Sequence, residues 1–89
     1  MNKDLLVEYA NDLRDELEFL FESGIAYDFQ LYAARIAFNF AVDKGEIPPH
    51  IRHKLDAIVD TSKHGAVTGA FKKFKKRIEQ LERKEGLEC

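Results

Sequence analysis

The sequence predicts an all-α domain, a small antiparallel four-helix bundle with an apolar second helix at its centre. Apolar residues step by four, three, four and three over residues 6–20 and again over 67–81, the seam rhythm of packed helices. Between these stretches, AYDFQLYAARIAFNFAV at 26–42 spreads apolar side chains over most of a helical circumference. Gly24, Gly45 and the pair Pro48, Pro49 punctuate the chain where helices need to stop.

The first helix is expected at about residues 4–21. Leu6, Ala10, Leu13, Leu17 and Leu20 form its seam, which Leu5, Tyr9 and Phe21 widen into a face. Asp4, Glu8, Asn11, Asp15, Glu18 and Glu22 lie opposite and read as a solvated side. Phe19 falls among these acids, so either another element caps it or it is a contact point. With Asp12, Asp15, Glu16 and Glu22 around it, Phe19 has the composition of an interface centre, an apolar anchor within an acidic rim. An aromatic anchor supplies about 2 kcal/mol or more at a hot spot, and the carboxylates steer a basic partner. Ser23 and Gly24 end this helix.

The second helix is expected at about 27–44, stopped by Gly45. Asp28, Tyr32, Arg35, Asn39 and Asp43 share one arc of roughly 80° at 100° per residue. This arc is either a strip facing solvent or a buried network in which Asp28 or Asp43 holds Arg35 and Asn39 completes the bonding. Apolar residues fill the rest, on more sides than three partner helices of so small a domain readily cover. Self-association is therefore expected, with a dimer the favoured form and Tyr27, Phe38 and the stray Phe19 the candidate contacts.

Pro49 suits the first turn of a third helix at about 49–60, whose core face is Ile51, Leu55, Ile58 and Val59. His50 and His53 lie three apart on it and His64 follows in the next loop. Without cysteines or a recognised carboxylate motif these read as surface histidines, and no metal site is expected. TSKHGAVTG at 61–69 holds the next turn and helix cap. Lys63 and His64 beside a helix start could hold a phosphate, but every helix start offers the same N–H groups. Gly65, Ala66, Gly69 and Ala70 are expected to bring the fourth helix, at about 65–85, close against a neighbour. Beyond it, residues 86–89 should fray.

The fourth helix carries FKKFKKR at 71–77. Phe71 and Phe74 belong to the seam with Val67 and Ile78, which assigns them to the core and not to base stacking. Lys72, Lys73, Lys76 and Arg77 remain as candidates for nonspecific phosphate contact. The first 24 residues are mainly acidic and the last 26 mainly basic, so pairing of the first and fourth helices within the bundle accounts for the same charges.

The 89 residues suffice for one domain, and the net charge of -2 gives no global pull toward nucleic acid or anionic lipid. A single cysteine, Cys89, cannot form an internal disulfide, and no apolar run is long enough for a signal peptide or a membrane span. A cytoplasmic protein is expected. No nucleophile with a paired base, nucleotide loop or ligand set stands out, so no catalytic residue, metal or cofactor is assigned. The expected function is a noncatalytic protein-binding module, a small regulator, adaptor or inhibitor acting through a helical surface on a protein partner. The alternative is a nucleic-acid binder using the basic run.

Overall fold

A computed structural model describes residues 2–86. The described residues form α1 (Lys3–Glu22), α2 (Asp28–Lys44), α3 (Pro49–Thr61) and α4 (Gly65–Gly86), with no strand. Each boundary falls within one residue of the expected one. α4 continues through Gly86, one residue into the tail expected to fray, while the remaining tail and Cys89 lie outside the described residues.

Local chemistry accounts for the ends. Asn2 Oδ1 accepts the Leu5 N–H at 3.2 Å and caps α1. Gly24 at φ 76° then lets the chain turn so that the Ile25 and Ala26 N–H groups donate to Leu20 O at 2.8 and 3.1 Å. At the start of α2 the Tyr27 N–H donates to Gln30 Oε1 at 2.8 Å, which places a polar side chain in the interior with its carbonyl satisfied. Gly45 at φ 68° closes α2, donating to Ala41 O at 3.1 Å. His64 Nδ1 accepts the Ala66 N–H at 3.2 Å, so this histidine is the cap of α4.

The helices stand in ring order, each packing on its two neighbours, in a body of 44 × 22 × 19 Å. α1 packs most extensively on α2 and next on α4, whereas α3 touches α2 and α4 lightly. The expected seams hold: Leu6, Leu13, Leu17 and Leu20 of α1 meet Val67, Phe71, Phe74, Ile78 and Leu81 of α4 in one buried cluster. Ile47, in the α2–α3 connection, is 1% exposed and joins it.

Beyond Gln30 and Leu31 in its first turn, the interior side of α2 is made of small residues. Ala33, Ala34, Ala37 and Ala41 are buried, and so is Ala10 across from them on α1. Paired alanines bring two backbones close and leave little room for rings between them, so the aromatics of α2 are displaced to the edges of the contact. Phe38 and Phe40 are half-buried, and Phe29 is 53% exposed. The expected enclosure of α2 is thus realised on one side only.

One further expectation is corrected, and one pair of alternatives is decided. Gly65, Ala66 and Gly69 are exposed, and a side chain added at Gly65 or Gly69 would meet nothing within 4 Å, so of the four small residues only Ala70 packs inward, beside Val67 and Phe71. The polar arc of α2 is the solvent-facing strip, and Arg35 reaches Glu18 of α1 at 3.3 Å in place of Asp28 or Asp43.

Candidate docking surface

Each surface singled out from the sequence has a distinct fate. On α1, Phe19 is 66% exposed, so α4 does not cap it. Its acidic neighbours are partly committed elsewhere. Asp12 accepts from Arg77 of α4 at 3.0 Å, and Asp15 lies 3.4 Å from Asn11 Nδ2 and 3.6 Å from Arg14. Glu16 lines the tight α1–α4 seam beside Lys73, whereas Glu22 faces α2. The four acids are therefore spread over different sides of α1, two toward α4 and one toward α2, and do not converge on one site around the exposed Phe19 ring.

On α4, Arg77 is occupied twice, by Asp12 and by the Tyr9 ring 4.8 Å below its guanidinium. It belongs to the α1–α4 contact, unlike the three lysines named with it as candidates for phosphate contact. Lys75 is bound to Asp56 of α3 at 2.9 Å, and this hydrogen bond, together with the carboxylate's charge, raises its pKa from the ordinary 10.5. Lys72, Lys73 and Lys76 remain exposed on the outer side.

On α2, Tyr27 is 67% exposed and stacks on Phe29, with ring centroids 5.9 Å apart and planes 9° from parallel. Phe38 is half-buried, and the Arg14 guanidinium covers its ring at 4.1 Å and binds Asn11 Oδ1 at 2.6 Å. The ring is therefore partly committed within the chain. Arg14 Nε is buried without a partner there, so the ring is its compensation.

Two open grooves flank the outward side of α2. One, of about 620 Å³, lies between the end of α1 and the start of α2, with Phe21, Phe29, Leu31 and Tyr32 as its apolar wall and Glu18, Glu22, Asp28 and Arg35 as its charged edge. The other, of about 410 Å³, runs between α2 and α3 against Ala33, Ile36, Ala57 and Ile58. Phe29 and Tyr32 line both. They form a ridge with a depression on each side, a shape that receives side chains from an opposing helix.

No group of three or more potential metal ligands occurs among the described residues. His50 packs edge-on to Phe40 at 5.9 Å, and His53 is exposed. No helix of the described residues is long and apolar enough to cross a membrane. The chain matches no protein-family model, no curated protein and no solved structure.

Proposed function

We propose that the chain is a noncatalytic protein-binding module, a small regulator, adaptor or inhibitor in the cytoplasm, that docks through the outward face of α2. One observation carries this reading. Among the described residues, three of the exposed large hydrophobics, Phe21, Phe29 and Tyr32, line these grooves and a fourth, Tyr27, stacks on Phe29, while Val42 lies toward the far end of α2 and Phe19 on α1. A contiguous apolar surface of this kind rimmed by charge is what a helical partner covers. The acidic edge at Glu18, Glu22 and Asp28 repels polyanions and favours a protein. Paired variants test it: Phe29→Ala with Tyr32→Ala should abolish association while leaving the melting temperature near that of the parent, and unchanged association would defeat it.

A nucleic-acid reading draws only on the exposed Lys72, Lys73 and Lys76. It requires affinity for nucleic acid that falls steeply with salt and disappears on neutralising these three. The docking reading requires association that survives the same changes.

A further inference from the structure

Resting on the reading of α2 as the docking surface, we infer that its occupant is a second copy of the chain. The partner's α2 lies antiparallel to the first about a two-fold axis that passes between Leu31 and Tyr32. Asp28 of each protomer then meets the partner's Arg35, twice over, with the two Tyr32 rings close to the axis.

The inference starts from charge placement. Asp28 and Arg35 are seven residues apart, about 10.5 Å along the helix and within roughly 20° of the same face. Both are exposed, as is Tyr32 between them. An acid and a base on one helix face complement a copy of themselves when a two-fold axis lies midway between them. Parallel pairing in register sets Asp28 on the partner's Asp28 and fails. Moving the axis to between Arg35 and Ile36 opposes Asp28 to the partner's Asp43, again two carboxylates. An axis at Asn39 would oppose Arg35 to the partner's Asp43, but these two lie about 80° apart around the helix, so charge and face together favour the register about Leu31 and Tyr32.

Shape agrees with charge. Tyr32 and Phe29 stand between two grooves, and a two-fold contact presents the same ridge and grooves from the other side. Each ridge therefore has a depression to enter, and the apolar excess of α2 is covered without a further kind of molecule. Arg35 keeps its contact with Glu18 at 3.3 Å while its remaining N–H groups stay available to a carboxylate from outside.

The test is sedimentation of the full chain from 1 to about 200 μM with three charge variants, each checked by circular dichroism for the helical fold. The parent should pass from 10.3 kDa to twice that mass. Asp28→Arg and Arg35→Asp should each weaken dimerisation by about tenfold or more, since each opposes like charges at two points. Mixed in equal amounts, the two variants should form a heterodimer, because every opposed pair is then of opposite sign. Tyr32→Glu, which touches no helix cap, should also be monomeric by placing two carboxylates near the axis.

A parent that stays monomeric throughout overturns the second copy as occupant. A dimer that the Phe29→Ala, Tyr32→Ala pair weakens, but that both charge variants leave intact or their mixture fails to restore, overturns the register while sparing the surface. A dimer indifferent to all of these changes overturns the surface itself.

Discussion

Arg77 of α4 lies 3.0 Å from the Asp12 carboxylate of α1 and 4.8 Å over the Tyr9 ring of the same helix. One side chain thus ties the acidic first helix to the basic fourth by charge and by ring contact. Both partners of the ion pair are part-exposed, so the pair alone is worth about 0.2–1 kcal/mol and the cation–π contact about 0.5–1 kcal/mol. Arg77→Ala should lower unfolding stability by about 1–2 kcal/mol in urea titration. A double-mutant cycle with Asp12→Asn should give a coupling that shrinks in 1 M salt.

Phenylalanine truncations should separate interior from surface. Phe71 is 1% exposed and Phe29 is 53% exposed. Phe71→Ala should cost about 3–5 kcal/mol, whereas Phe29→Ala should stay within about 0.5 kcal/mol of the parent. Equal losses in thermal or chemical denaturation would contradict the open side of α2.

Two glycines should respond in opposite directions to alanine. Gly69 sits inside α4 with open space around it, so Gly69→Ala should stabilise by about 0.5–1 kcal/mol. Gly45 has φ 68°, and its added Cβ would meet the Lys3 side chain at 3.4 Å, so Gly45→Ala should destabilise by about 1 kcal/mol or more. Thermal melts of both variants check the sign.

Lys75 should titrate above 10.5 because Asp56 accepts its hydrogen bond. A raised folded-state pKa means that its contribution is complete below the unfolded value and is lost as pH rises through the folded one. Asp56→Asn should move the Lys75 titration, followed by NMR of its side chain, back toward the ordinary value.

Much of the architecture was legible because it rests on periodicity. The four-three rhythm marks Leu6 to Leu20 and Val67 to Leu81 as seams, and both are buried. Stop signals at Gly24, Gly45 and Pro49 give the boundaries to within a residue. The docking surface was less legible. Hydropathy ranks Phe29 above Ala33, yet the alanine is buried and the ring exposed, because close helix contact selects small side chains. The run of Ala33, Ala34, Ala37 and Ala41 was the available signal for which side of α2 faces inward. The Arg14 contact with Phe38 was hidden for a related reason: a long side chain on the neighbouring helix covers a ring that looks free from α2 alone. Gln30 shows a third limit, since a polar residue in the interior follows from one backbone N–H that needs an acceptor.

Amide hydrogen exchange should not be uniform around the ring. α3 leans lightly on α2 and α4 and brings no Cα within 8 Å of α1 among the described residues, while α1 is gripped on both sides. Helices with few buried contacts open at lower free energy than the global unfolding transition, in cooperative units of their own. α3 should therefore exchange fastest, detaching from a persistent trio of α1, α2 and α4. Each such opening would bare the Ile36 side of α2, so protection of the α3 amides and access to that groove should vary together.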